Sequence, residues 1–486
     1  MEKKKSTKEV AFNKSILYVA SECRPFCSTG GLADVMSSLP KSLKKDYKDS
    51  DIRIVLPLYQ KTNIDRNRLT YIGSMYVKLA WRSEYCGVFT YKMDDIVYYF
   101  IDNEKYFKRE GYYGYPDDAE RFAFFSRSIL EILPLIDFFP DIIHVNDWQS
   151  AMLPVYLKTY SWNDPKYYNI KTVLTIHNIL YQGRFGKEIV GDILGISDKD
   201  RGIMLQHNDA NFIKAGMLCA DRVITVSNSY SKEIQTVEGG AGLDDVARNI
   251  AYKLTGIVNG TDDVVDSPLY DPYVWHKFDV NSLENKKKNK EELQKYFGLE
   301  VNPDAPILSI VSRLVKAKGL DMVKDTLERI ITTTNAQFVA VGEGEREYED
   351  YFKYLSNKYP SKVRVSLGFS IDIGKKIYAG SDIYLMPSIS EPCGISQMIA
   401  SKYGAVPVVR EVGGLKDTIK DFGCPGGGNG YTFGNVSSKD FEYSVRRAIS
   451  DYQDKAGWEK KVKTVMGVDF SWRRSMNNYV DVYKEI

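Results

Sequence analysis

Two cations, Arg313 and Lys318, follow the apolar run 307–310 in the phrase VSRLVKAKGLD. A strand ending there brings both to the carboxyl edge of its sheet. Arginine forks two phosphate oxygens and lysine adds a point charge, so the pair suits a departing diphosphate without a metal. Glu391-Pro392-Cys393-Gly394 follows a second apolar run, 383–386. A carboxylate there is suited to sugar hydroxyls, and the amides after Pro392 are suited to a phosphate at the start of the next helix. In the other half, His144-Val145-Asn146-Asp147 and Thr175-Ile176-His177-Asn178 each end an apolar run. His144 lies inside its run and reads as core. His177 lies at a strand tip and is the better site candidate.

A short phrase occurs twice, as Gly30-Gly31-Leu32-Ala33-Asp34 and as Gly413-Gly414-Leu415-Lys416-Asp417. Each copy reads as strand, glycine turn, helix start. Glycine lets backbone approach a ligand and a helix start favours an anion, so the repeat points to one phosphate-bearing ligand held between two similar domains. The motifs that would bind a metal nucleotide are poor. Asp198-Lys199-Asp200 and Asp49-Ser50-Asp51 sit in polar loops and read as solvated surface, and there is neither HExxH nor a Cys/His cluster. No metal and no cofactor is expected.

The elements that must position these residues alternate. Apolar runs at 16–19, 52–55, 142–145, 173–176 and 223–226 are separated by helical patterns, and so are those at 307–310, 338–341, 363–365, 383–386 and 406–409. Continuous apolar runs between helices imply parallel sheets covered on both faces. The stretch 271–304 is polar, and its ENKKKNKEELQ reads as a solvated helix face, so the domain boundary is placed there. The fold class is α/β, with two Rossmann-like doubly wound domains facing across a cleft and ligands at the carboxyl ends of their strands. The expected division is 1–270, a linker 271–304, 305–468, and a final segment 469–486.

A chain of 486 residues is too long for one core. With 43% hydrophobic and 27% charged residues it has a globular composition, and a net charge of +2 points to no nucleic-acid or membrane partner. The start, MEKKKSTKEV, has no apolar segment after it and reads as a frayed tail rather than a secretory signal. Six scattered cysteines without a CxxC pair read as reduced thiols in a cytoplasmic protein.

Taken in order, STGGLADV (28–35), YGYPDDAERFAFFSR (113–127), HVNDWQSAMLPVYL (144–157), TIHNILYQGRF (175–185), KAGMLCADRVITVS (214–227), GIVNGTD (256–262), VSRLVKAKGLD (311–321), SISEPCGISQ (388–397), GAVPVVREVGGLKDT (404–418) and DFSWRRS (469–475) resemble the bacterial glycogen synthases and plant starch synthases. These are retaining GT-B glucosyltransferases of glycosyltransferase family 5, and the resemblance spans nearly the whole chain. It implies that Arg313 and Lys318 hold the distal phosphate of a sugar nucleotide. Glu391 and the amides near Cys393, Gly394 and Ile395 would grip the glucose, with Asn259 among the donor contacts, Phe369 stacked on the base and His177 lining the glucose pocket. Asp147 would lie near the acceptor glucan, Gly30 and Gly31 would face the phosphates, and 471–483 would cross back onto the first domain. The implied reaction moves glucose from ADP-glucose to the non-reducing 4-hydroxyl of an α-1,4-glucan, with UDP-glucose as the nearest alternative donor and a glucan-binding paralogue as the alternative of another class. One departure stands out. The family's phrase opens with a lysine that contacts the donor, and here that position is Ser28, with Arg24 and Lys41 as the nearest substitutes in sequence.

Overall fold

The computed structural model describes residues 12–160, 162, 164–368 and 370–486, so the basic start of the chain lies outside the described residues. The chain divides into two units. The first runs to Val226 and includes Ser231–Ile257 and Ser475–Ile486; the second comprises Ser227–Tyr230 and Val258–Arg474.

The sheet of the first unit has nine strands. From one edge they run Leu254–Gly256, Arg222–Thr225, Lys171–Ile176, Ile142–Asn146, Ser15–Val19, Asp51–Pro57, Ile96–Asp102, Arg82–Met93 and Thr70–Leu79. The first seven are parallel, and the last two extend the sheet as an antiparallel hairpin. Ser15–Val19 and Ile142–Asn146 are each buried along almost their full length, as parallel strands covered by helices must be. The hairpin alternates half-buried and exposed positions, so a search for continuous apolar runs passes over it. The chain winds outward from Ser15–Val19 in one direction and from Ile142–Asn146 in the other. Strand order therefore reverses between these two neighbours, and their carboxyl ends diverge into a crevice.

The sheet of the second unit has six parallel strands, in the order Val363–Leu367, Gln337–Gly342, Ile307–Val311, Ile383–Met386, Val406–Arg410 and Tyr431–Phe433. Its reversal falls between Ile307–Val311 and Ile383–Met386. The helix Leu320–Thr333 covers one face with Leu320, Val323, Leu327, Ile330 and Ile331, all buried in one core with Leu308, Ile310 and Phe338.

Two expected boundaries are corrected. The segment 271–304 is no linker. It carries the helix Leu283–Phe297, whose Leu293 packs in a core with Ile307, Val339, Val341 and Ile377. The helix looks solvated because polar side chains do part of its burying. Lys286 is buried, and its ammonium donates to the carbonyls of Ala379 (3.1 Å), Ser381 (2.9 Å) and Tyr403 (2.8 Å). The second unit also starts earlier than expected, at Val258. Long-range polar contacts draw this stretch in: the Thr261 amide donates to Phe470 O (2.7 Å), Lys402 pairs with Asp263 (2.8 Å) and Lys375 pairs with Asp266 (2.8 Å).

The end of the chain is anchored by a buried tyrosine. Tyr483 Oη lies 2.7 Å from Nδ1 of His144 and 2.8 Å from Oη of Tyr18, while His144 Nε2 lies 2.7 Å from Thr175 Oγ1. His144 is thus a fully buried core histidine with both ring nitrogens engaged, and burial lowers its pKa to about 3. Tyr483→Phe leaves two buried polar groups without a partner. It is expected to destabilise the chain by about 1–3 kcal/mol, measured as a lower urea midpoint. An unchanged midpoint would show that this network does not anchor the end of the chain.

Candidate active site

In the first unit the strand Ser15–Val19 leads directly into Ser21 and Glu22 at the crevice. Glu22 is buried, and its carboxylate takes the hydrogen bonds of the glycine turn. It accepts the backbone N–H of Thr29, the Thr29 hydroxyl (2.6 Å) and the Gly30 N–H (3.3 Å), and the Tyr113 hydroxyl donates to it at 2.7 Å. The turn then enters the helix Gly31–Asp46 with Gly30 extended at its start. A Cβ added at Gly30 would meet nothing within 4 Å, so neither backbone conformation nor packing within the fold demands glycine there. Openness of that kind suits the close approach of something that is not part of the chain.

The neighbouring strand, Ile142–Asn146, ends at Asp147. Its backbone is left-handed (φ 56°), a conformation Asp tolerates better than most residues. The Asp147 carboxylate accepts the backbone N–H of His177 (2.8 Å) and that of Asn178, binding the tip of the next strand to its own. Burial pushes Asp147 up to about 7 against the lowering effect of those two amides. Nε2 of His177 lies 2.9 Å from Oδ1 of Asn146. The Asn146 amide nitrogen donates to Val19 O (3.1 Å), which turns its oxygen toward the imidazole. Nε2 therefore carries the proton. Burial lowers the His177 pKa to about 3, so the ring is neutral at physiological pH and Nδ1 holds the lone pair.

In the second unit the crevice lies between the strands that precede Arg313 and Ser388. Lys318 donates to Oε2 of Glu391 at 2.6 Å, and the Ser388 hydroxyl donates to the same oxygen at 3.0 Å. Both contacts fall on Oε2, which leaves Oε1 for another donor. Glu391 is buried and Lys318 half-buried, while Arg313 is exposed and pairs with no carboxylate among the described residues. Arg410 holds the loop from beneath by donating to Ser388 O (2.9 Å) and Ile389 O. Gly394 is left-handed (φ 73°) and makes the turn into the short helix Ser396–Lys402, which Ile395 precedes. Two buried acceptors at this loop, Oδ1 of Asn259, whose backbone N–H reaches the Cys393 thiol, and Oε1 of Gln397, have no hydrogen-bond partner among the described residues.

Of the residues singled out by sequence, the second unit thus brings together Lys318 and Glu391 at one strand reversal, with Arg313 following one of its two strands. The first unit brings together Gly30, Asp147 and His177 at the other reversal. Phe369 lies outside the described residues. Cys393 is buried, and burial pushes its thiol up to about 12, so it packs as a neutral side chain. The second glycine phrase does something other than expected. Gly413 (φ 44°) and Gly414 press against the loop before Gly394: a Cβ on Gly413 would fall 2.0 Å from Glu391 O, and one on Gly414 would fall 2.1 Å from Cys393 O. The Gly414 amide donates to Glu391 O and Pro392 O, so it buttresses the loop rather than facing an anion. Ser28 is half-buried, and its two suggested substitutes are already engaged: Arg24 with Asp34, and Lys41 with Asp94 at 2.7 Å. Sequence reasoning missed Glu22 and Ser388. The available signal was a polar side chain directly after a continuous apolar run, the same signal that marks Asp147.

The first half of the chain, residues 15–249, matches the family model of the starch synthase catalytic domain, and residues 292–465 match that of glycosyl transferases group 1. The chain is 45% identical to a glycogen synthase of Desulforamulus reducens, over 97% of this chain and 98% of that one. It is 44% identical to a glycogen synthase of Caldicellulosiruptor saccharolyticus, over 97% and 99%. Among solved structures it is similar to the catalytic domain of starch synthase IV from Arabidopsis thaliana bound to ADP and acarbose, with a TM-score of 0.89, 30% identity, and coverage of 98% of this chain and 99% of that one. Sucrose-phosphate synthase from Thermosynechococcus elongatus, at 15% identity and a TM-score of 0.61 over 97% and 98%, shares the fold. With likeness of this degree along its length, and two Rossmann-like sheets whose reversals gather the motif residues, the chain belongs to the glycogen and starch synthase family of GT-B glycosyltransferases, family 5.

Proposed function

We propose that the chain takes ADP-glucose as donor and passes its glucose, with retention, to the 4-hydroxyl at the non-reducing end of an α-1,4-glucan. Glucose transfer from a nucleotide-sugar donor to an α-1,4-glucan follows from membership of the family; the adenine base and the stereochemical course are the finer reading. The observation that carries it is the Lys318–Glu391 pair at 2.6 Å, fixed by Ser388, at a strand reversal that the exposed Arg313 also follows. Arg313 and Lys318 neutralise the charge that develops on the leaving diphosphate, a task that preorganised cations perform without reorganisation. Glu391 uses Oε2 to aim Lys318 and keeps Oε1 for glucose hydroxyls. The unpaired Asn259 Oδ1 supports a polar ligand against this loop. The ADP bound in the related starch synthase supports adenine over uracil.

In this reading the leaving phosphate takes the acceptor proton, the front-side route that the resemblance to the family implies. His177 lines the glucose pocket as a neutral hydrogen-bonding ring, and Asp147 holds it there by gripping the backbone at 177–178. Ser28 removes one cation from the donor's surroundings, and Arg24 and Lys41 are committed elsewhere. Donor binding then rests on the second unit's cations, Arg313 and Lys318. Incorporation of labelled glucose into glycogen from ADP-glucose and from UDP-glucose tests the proposal. A higher kcat/KM with ADP-glucose is expected; a preference for UDP-glucose overturns the donor assignment, and no incorporation from either favours a glucan-binding paralogue.

Arg313→Ala and Lys318→Ala are each expected to lower kcat by about 10²–10³-fold. Arg313 is exposed, so its variant should keep the wild-type melting temperature. Near-normal turnover in both would remove the cations from the mechanism.

Asp147 supplies a pH test. Its folded pKa, about 7, lies above the ordinary carboxylate value of about 3.9. Below pH 7 it is protonated and accepts the 177–178 amides less strongly, so kcat/KM should rise with pH through about 7. The same shift means that its contribution to stability is full below about pH 4 and is lost as pH rises through about 7. In Asp147→Asn both dependences should disappear. A profile identical to that of the wild type would assign the activity step to another group.

A further inference from the structure

The second unit contains a cavity of about 580 Å³ that touches none of the donor-loop residues. It is lined in part by Asp382, which directly precedes the strand Ile383–Met386 and accepts the backbone N–H of Ile307 (2.9 Å), the first residue of the adjacent strand. The cavity therefore lies at the amino ends of the two central strands, whereas Arg313, Lys318 and Glu391 follow their carboxyl ends. About 13 Å of strand separates the two. The volume is that of a site for a small metabolite.

The walls differ in kind. Leu283, Val301, Trp458 and Val462 give it an apolar side. The ionisable groups around it are five lysines, at 286, 287, 288, 290 and 455, against four carboxylates, Glu291, Asp304, Asp382 and Glu459. The excess of lysines over carboxylates is greatest in the interior. Lys286 and Lys290 are both buried and have one nearby carboxylate between them, Asp382, which Lys290 takes at 2.9 Å. Lys286 is left with three backbone carbonyls and no ion partner of its own. Burial lowers its pKa to about 7, with Lys290 adding to the fall and Asp382 opposing it. At the rim, Lys455 and Lys287 stand 3.4 and 3.8 Å from Asp304 and Glu459. Those separations are longer than a charge-assisted hydrogen bond of about 2.7–2.9 Å, and the Lys455 ammonium lies 3.7 Å from the centre of the Tyr452 ring, so an incoming anion competes with one long ion pair at each lysine and, at Lys455, with that ring.

Lys286 also ties the cavity to the donor side. Two of its carbonyl partners, Ala379 and Tyr403, lie at the carboxyl ends of the helices Ile371–Gly380 and Ser396–Lys402. The second of these helices starts directly after Glu391–Ile395, the loop that carries the Lys318 partner. A dianion over the lysines competes for the charge that now holds both helix ends.

We propose that this cavity is an effector site for a small phosphate monoester with an apolar body, the phosphate held by Lys287 and Lys455 over the buried lysines and the body against Trp458 and Leu283. The proposal is independent of the identity of the sugar donor. It is tested by calorimetry on the full chain with phenyl phosphate as the probe and inorganic phosphate and phenol as the two half-ligands. Phenyl phosphate is expected to bind more tightly than either half-ligand. Lys287→Glu combined with Lys455→Glu, both at the rim, is expected to raise its Kd by about tenfold or more. Ala456→Phe, which fills the mouth without a charge change, should weaken binding as well. Saturating phenyl phosphate should also change the KM for the donor in the wild type and leave it unchanged in the rim variant. The site is refuted if no binding occurs at millimolar concentrations, or if binding is indifferent to all of these substitutions. The effector role is refuted if binding leaves the donor KM unaltered.

Discussion

A parallel sheet whose strand order reverses at its centre cannot close the carboxyl ends of its two central strands, because the helices that follow them leave on opposite faces. Both units of this chain are built on that constraint. The strands Ser15–Val19 and Ile142–Asn146 form the reversal in the first, and Ile307–Val311 and Ile383–Met386 form it in the second. Glu22, Asp147, Arg313 and Glu391 all lie within a few residues of where one of these strands stops. The chemistry sits at the reversals because backbone leaving a covered strand there must turn through polar surroundings with few neighbours.

Carboxylates do most of the organising at these points, each in a different way. Glu22 spends its charge on the amides of a glycine turn. Asp147 grips the backbone of the adjacent strand tip and so orients His177 indirectly. Glu391 aims a lysine. At the opposite pole Asp382 caps the start of one strand and partners a buried lysine. A buried carboxylate with several donors is costly to move, so each fixes a local geometry more firmly than packing alone would. The differing environments also separate their chemistry. Asp147 is pushed toward neutrality by burial, whereas Glu391 has a cation at hydrogen-bond distance.

The helix Leu283–Phe297 shows a related economy. Its buried face includes Lys286, Asn289, Lys290 and Gln294. Their polar heads satisfy carbonyls and side chains that apolar residues would have left without partners, and their stems fill space. The two glycine phrases, alike in sequence, diverge for the same kind of reason. The first is held by a carboxylate and stays open on its outer side. The second is closed by contact with the loop it supports, where any side chain would strike a carbonyl.

The order of strands and helices was legible in the sequence, because continuous apolar runs and helical spacing are local properties that follow from burial on both faces of a sheet. The same patterns placed Arg313, Lys318, Glu391, Asp147 and His177 at strand ends, and the ordered motifs identified the family. The antiparallel hairpin was not legible, since its alternating pattern lacks the apolar continuity of the other strands. Nor were the true extent of the second unit, the part played by Glu22, or the buried lysines. Those depend on contacts between residues far apart in the chain: Lys318 with Glu391, Thr261 with Phe470, Lys286 with Tyr403, His144 with Tyr483. Residue type tells that a lysine can donate three hydrogen bonds. Only the folded chain decides whether those bonds go to water, to a carboxylate or to the ends of two helices.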